Sequence, residues 1–193
     1  MEKMFSSYYG QKVQAWPVGI DSKKWSDVSQ EKKTIDFLIY DKLWENDIAR
    51  EANFLTKITS SLKDKNLSYR IIKYGNYDQN ELFELIKISK AAIFLSIHET
   101  QGFAYQQILS TNTPILAWDM EDFWFDPNFY PERVQFKPVS SVPYWEDKCG
   151  IKFKDAKDFE NKLDLFLSQL NKNEYSPREF ILENLSLKKC ALE

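Results

Sequence analysis

From Thr34 to Asp119 the chain alternates short apolar runs with longer stretches whose apolar residues recur every third or fourth position. "TIDFLIY" (34–40) is an apolar run of strand length. "ENDIAREANFLTKITSSLKDKN" (45–66) sets Ile48, Ala52, Leu55, Ile58 and Leu62 at helical spacing. "SYRIIKYG" reads as a strand stopped by Gly75. "DQNELFELIKISK" reads as a helix with Asp78 as its N-cap and Leu82, Leu85, Ile86 and Ile88 on its inner face. "AAIFLSI", "GFAYQQILSTN" and "PILAWD" continue as strand, helix, strand. Apolar strands linked by helices of this length predict an α/β fold, a parallel sheet of about five or six strands with helices on both faces. Right-handed crossovers then gather every strand's C-terminal end at one edge, where open sheets of this kind bind ligands.

Outside that rhythm the pattern is weaker. Residues 1–11 predict a short helix closed by Gly10, and "KVQAWPVGID" (12–21) a brief strand. "DSKKWSDVSQEKK" (21–33) reads as a polar linker. Met120 to Lys148 holds four prolines and many aromatics and predicts a long irregular excursion. "CGIKFKD" is a last short strand. "DAKDFENKLDLFLSQLNKN" is a helix with Phe159, Leu163, Leu165, Phe166 and Leu170 inward, and "REFILENLSLKKCAL" after Pro177 is a final amphipathic helix. The chain shows no internal repeat.

Composition narrows the function classes. With 193 residues, 43% hydrophobic, the chain suffices for one domain with a full core. A net charge of -3 argues against a partner bound through a nucleic-acid backbone. Two cysteines without a CxxC pair, and a single histidine, do not assemble a Cys/His zinc site or a disulfide scaffold. The N-terminus has no signal-peptide core, and no apolar run approaches the ~20 residues of a membrane span. A cytoplasmic protein without a transmembrane segment is the expectation.

The richest chemistry lies in "IHETQGFAYQQILSTNTPILAWD" (97–119). If "AAIFLSI" is a strand and "GFAYQQIL" a helix, "HETQG" sits at the ligand-binding edge. Backbone N–H groups of Thr100, Gln101, Gly102 and Phe103 then face an anion at a helix start, and Gly102 lets the backbone come close. Glu99 would repel a bare phosphate but suits neutral hydroxyls. Gln107, eight residues on, suits a second hydroxylated group. An anionic linker between two polyhydroxylated groups describes a nucleotide sugar.

This stretch resembles the donor-site motif of retaining glycosyltransferases of the GT-B fold, group 1, the glycogen-synthase-like set. Those enzymes carry Glu, seven residues, Glu, then a small-Gly-Thr-Pro-Val turn. Here Glu99 matches the first Glu and Thr113-Pro114-Ile115 the turn, while Gln107 replaces the second Glu and Asn112 the turn glycine. Asn tolerates the left-handed conformation that a glycine supplies. "AWPVGID" resembles the segment at the family's domain junction, "FLIYDKLWEND" the first strand of its nucleotide-binding domain, and "YGNYDQNELFELIKISKAAIFLS" the segment leading to the donor site. Lys42 falls at the family's arginine position; Asp47 stands where a lysine is usual, and Arg50 is a substitute for that lysine.

The resemblance implies a Rossmann-like domain that is the C-terminal-type half of a GT-B fold. It implies Glu99 and Lys42 as catalytic residues, with Glu99 on the donor sugar and Lys42 on the diphosphate. It implies His98, Thr100, Gln101, Gly102, Phe103, Gln107, Gly75 and Tyr77 as substrate-binding residues. The donor is a nucleoside diphosphate-sugar, with no cofactor and no metal required. Three segments are implied: 1–33 as N-terminal helix, strand and linker; 34–176 as the nucleotide-sugar domain; 177–193 as a helix packing on an absent acceptor domain. Trp16, Phe180, Ile181 and Leu185 are then expected to be exposed, as a surface for that acceptor domain or for a homodimer. The chain is a fragment, a split subunit inactive alone, or a noncatalytic nucleotide-binding or interaction module. A flavodoxin-like or receiver domain is the remaining alternative; a receiver needs an acidic cluster where only Asp41 stands.

Overall fold

The computed structural model describes residues 2–43, 48–124 and 136–192. After helix α1 (Glu2–Tyr9) and a 3-10 turn at Gly10–Lys12 come β1 (Ile35–Lys42), α2 (Ile48–Asp64), β2 (Tyr69–Lys73), α3 (Gln79–Ile88), β3 (Ser89–Ser96), α4 (Phe103–Ser110) and β4 (Ile115–Trp118). Then follow β5 (Gly150–Phe153), α5 (Ala156–Asn171), α6 (Pro177–Phe180) and α7 (Leu187–Leu192). The five strands form one sheet in the order β2-β1-β3-β4-β5, and every pair is parallel.

Apolar residues on both sides of the central strands give the sheet two cores. On one face Leu38, Tyr40, Ala92, Phe94, Ile115 and Ala117 pack with Leu82 and Ile86 of α3 and Tyr105, Ile108 and Leu109 of α4. On the other, Phe37, Ile39, Ile93, Leu95 and Leu116 pack with Ile58 and Leu62 of α2 and Phe159, Leu163 and Phe166 of α5. Strand alternation sends consecutive residues to opposite cores, so no position of β1 between Phe37 and Tyr40 is spared. Helix starts are set locally. Asp78 accepts from the N–H groups of Asn80 and Glu81, and Asp155 does the same for Lys157 and Asp158.

Several expectations are corrected. The stretch 12–21 is not a strand: beyond the 3-10 turn it runs extended, and Ile20 alone forms an isolated bridge, with Ser186. The segment 21–33 is irregular but no solvated linker, since Trp25 and Val28 are buried in the first core. Leu165 lies on the outer face of α5, one position short of the inward stripe set by Leu163 and Phe166. The final helix is broken. A π-helical turn at Ile181–Leu185 separates α6 from α7, and Ser186 leaves helical geometry at φ -70° and ψ 154°.

That break lets the C-terminal segment fold back on the chain itself. Phe180, Ile181 and Leu185, expected on a surface, are buried beside Ile20 and Trp25. Trp16 is exposed at 71% as expected, yet its indole Nε1–H donates to the Cys190 carbonyl at 2.9 Å. Gly19 is required there: a Cβ would lie 2.7 Å from Leu187 Cα. Within Met120–Lys148 the described residues are irregular, apart from a 3-10 turn at Asp147–Cys149.

Candidate functional site

From β1 the chain moves by α2 to β2 on one side, then by α3 to β3 on the other, so the strand order reverses between β1 and β3. In open parallel sheets the C-terminal edge at such a switch point is where ligands bind. Lys42 ends β1 and Ser96 ends β3, and the two are direct register partners. Both belong to the strand positions that share a face with Tyr40 and Phe94, the α3–α4 face.

Glu99 reaches this edge from the turn after β3. Lys42 Nζ donates to its Oε1 at 2.7 Å and its Oε2 at 2.9 Å, and Ser96 Oγ donates to Oε1 at 3.0 Å. The backbone N–H of Glu99 is fixed by the Ser140 carbonyl at 2.9 Å. Ser140 is itself anchored: its hydroxyl donates to Asp119, whose buried carboxylate also accepts from Ser141 N–H at 3.0 Å and pairs with Lys152 at 2.8 Å. A chain of contacts thus runs from β5 through the end of β4 to the turn that carries Glu99.

The turn and the start of α4 are arranged as an anion cradle. None of the backbone N–H groups from Thr100 to Tyr105 donates a hydrogen bond to another protein group among the described residues. Unpartnered N–H groups at a helix start carry partial positive charge and favour an anion. Thr100 and Phe103 are exposed, so the cradle opens to solvent. Gly102 takes φ 73°, and a Cβ there would sit 1.9 Å from the Tyr105 ring. Its glycine is therefore demanded by Tyr105 as much as by any ligand. Gln101 is held against the N-terminal segment, accepting from Val18 N–H and donating to the Trp16 carbonyl, each at 3.2 Å.

The remaining positions are dispersed around this centre. His98 is buried under Trp124, ring centroids 4.1 Å apart and stacked, so the aromatic stretch after β4 covers the sheet edge there. Gln107 is buried on α4, and its side chain has no hydrogen-bond partner among the described residues. Tyr77 is half-buried and its hydroxyl meets that of Tyr40 at 2.8 Å; burial pushes both phenols above the usual range. Gly75 has φ 84° with open space where a Cβ would be. Asn112 adopts φ 65°, the left-handed geometry expected of a glycine substitute. Asp47 and the side chain of Arg50 lie outside the described residues.

Sequence patterns did not single out Ser96, Tyr74, Gln106 or Ser140, the partner of Asp119. Tyr74 lies under Lys42, with Nζ 4.7 Å from the ring centroid. Gln106 Nε2 donates to the Gln101 carbonyl, while its Oε1 is buried with no partner among the described residues. The register of β1 with β3 would have pointed to Ser96; the others depend on turns that carry no periodic signal.

Solved structures match the fold over 99% of this chain. A sucrose-phosphate synthase (tll1590) from Thermosynechococcus elongatus superposes with a TM-score of 0.55 at 13% identity, over 99% of this chain and 54% of that one. A structure described as a GtfA/B complex gives 0.56 at 15% identity, over 99% of this chain and 41% of the other. The fold is α/β Rossmann-like, a five-stranded parallel sheet with helices around it, consistent with half of a GT-B fold. The chain spans about half the length of the structures it matches. No family model and no curated protein matches its sequence. Among the described residues no helix is long and apolar enough to cross a membrane.

Proposed function

We propose that this domain is the nucleotide-sugar-binding half of a glycosyltransferase that moves a hexose-type sugar to a glycan or lipid acceptor, as in polysaccharide biosynthesis. The observation that carries the reading is the placement of free amides at Thr100–Tyr105 beside the Lys42–Glu99 pair at the switch point. In this reading the amides take the diphosphate, where their fixed dipoles stabilise the leaving group as charge develops on it. Glu99 takes sugar hydroxyls. Gln107, buried on α4 and without a side-chain hydrogen bond among the described residues, takes the ribose. Gly75 leaves room for the nucleotide, and Tyr77 borders it. The diphosphate's charge is met by amides and Lys42, so no metal is called for. The compartment is the cytoplasm, in keeping with two buried cysteines that form no disulfide.

The acceptor-binding half belongs to another domain or subunit, and the domain is inactive alone. Its docking face includes Trp16, Val18 and Leu187, all exposed; a homodimer through that face is the competing arrangement. One observation favours a second reading, a noncatalytic nucleotide-binding module: Lys42, the cation at the site, is already neutralised by Glu99.

Thermal unfolding with a panel of nucleoside diphosphates and their hexose conjugates tests the reading. One ligand at about a hundred times its Kd adds ~2.7 kcal/mol of stability. A melting temperature unmoved by every member of the panel refutes donor binding. Donor hydrolysis or transfer, assayed with and without the acceptor-binding partner, separates a transferase from a binding module.

A further inference from the structure

Lys42 and Glu99 pair closely at the C-terminal edge of the sheet. Lys42 engages both carboxylate oxygens, and Ser96 adds a third bond. An ionised carboxylate offers about four lone-pair positions, so roughly one remains for a ligand. The side chains are only 23% and 10% exposed, so their attraction is screened less than on an open surface. Among the described residues Lys42's other side-chain contact is the face of Tyr74, which adds no second anion.

Two kinds of ligand group meet this arrangement differently. A hydroxyl can join Glu99 while the bridge stays closed. A phosphate oxygen cannot take Lys42 without displacing a carboxylate that holds it through both oxygens. If the carboxylate is displaced with nothing to bind, it stays half-buried, unpaired, and close to another anion, which is costly.

We propose that the Lys42–Glu99 bridge is an internal counter-ion latch: a diphosphate gains Lys42 only when Glu99 receives hydroxyls in exchange. The site therefore favours a diphosphate carrying a polyhydroxylated group over the bare diphosphate. This rests on the donor-site reading above and adds the source of its discrimination between donor and released product.

Inorganic pyrophosphate, which carries no base and no sugar, is the probe. It is titrated calorimetrically into the full chain as wild type, Glu99→Gln, Glu99→Gln with Lys42→Gln, and Ser96→Ala. Opening the latch makes Glu99→Gln bind about tenfold tighter than wild type, the size of one charge-assisted hydrogen bond. The double variant loses that gain, because the freed lysine is what supplies it. Ser96→Ala, which removes one of three bonds from Glu99, shows a smaller gain and carries the test should Glu99→Gln fail to fold. The proposal is overturned if Glu99→Gln binds no tighter than wild type, or if the gain survives loss of Lys42. Where nucleotide sugars stabilise wild type but pyrophosphate binds all variants equally or none, only the latch falls. Where neither nucleotide sugars nor pyrophosphate bind any variant, the donor-site reading falls with it.

Discussion

At the scale of single residues, the end of β1 places a charge where burial opposes it. Asp41 is 4% exposed, and burial raises its carboxyl above the ordinary value of 3.8, against the lowering effects of the Leu43 N–H bond and Lys73. A folded-state pKa above the unfolded one means the native protein holds the proton more tightly. Stability therefore falls as pH rises from about 3.8 through the raised folded pKa, and stays reduced above it. Asp41→Asn imitates the protonated form and keeps an acceptor for Leu43 N–H, bonded at 3.0 Å. It is expected to raise the melting temperature at pH 7 and to make no difference near pH 3. A variant less stable than wild type at pH 7 would mean that the Asp41 charge is favourable where it stands. Asp41 adjoins Lys42, so the same measurement with a ligand present reports on the site's field.

At the scale of elements, the helices depend on their first residues. Asp78 and Asp155 each accept two backbone N–H bonds, at 2.8 and 2.9 Å for Asp78 and 2.8 Å twice for Asp155. Replacing either by Ala is expected to cost about 1 kcal/mol in urea unfolding. The helices they start pack on opposite faces of the sheet, through Leu82 and Phe159 respectively. The double variant should therefore lose the sum to within about 0.5 kcal/mol. A clear excess would mean that the two cores communicate through the sheet. The Asp78 cap, the strand–helix alternation and the turn at Glu99 were legible in the sequence, because each rests on a local rule: periodicity, a capping carboxylate, a left-handed Asn or Gly; the equivalent Asp155 cap follows the same rule but was not singled out. What escaped was set by distant partners. No periodicity in "KVQAWPVGID" says that Ile20 will bridge Ser186. Leu165 and Leu163 are the same residue type, and only the direction of the α5 stripe makes one outer and the other inner. At the candidate site, Glu99 and the amides of the following turn were singled out from type and position and Lys42 from the family resemblance alone, whereas the closed Lys42–Glu99 bridge and its Ser96 bond come from the pairing of β1 with β3.

At the scale of the whole molecule, the segments before β1 and after α5 are one structure in space. Arg178 joins them. Its Nη1 donates to the carbonyls of Trp25, at 2.9 Å, and Ser110, and its Nη2 to Ser22, at 3.0 Å. One guanidinium thus fastens the 22–25 stretch, the end of α4 and the C-terminal segment at a single point. The Trp25 carbonyl keeps a second donor in Ser110 Oγ, at 2.9 Å. Removing the guanidinium therefore deprives chiefly Ser22 and Ser110. Arg178→Leu is expected to cost about 3 kcal/mol, from two carbonyls losing a charged donor. That is a large share of the roughly 5–15 kcal/mol holding a domain of this size. Arg178→Lys should recover only part, because one ammonium does not reproduce the planar fork. The urea curve tells whether the terminal segments are integral to the domain. If they are, the midpoint falls with an unchanged slope in one transition, since Phe180, Ile181 and Leu185 share the core of Leu38 and Phe94. If they are an appendage, a separate early transition appears and the main midpoint stays where it was. The first outcome makes the exposed Trp16–Leu187 face a rigid part of the domain, ready-formed for whatever covers it.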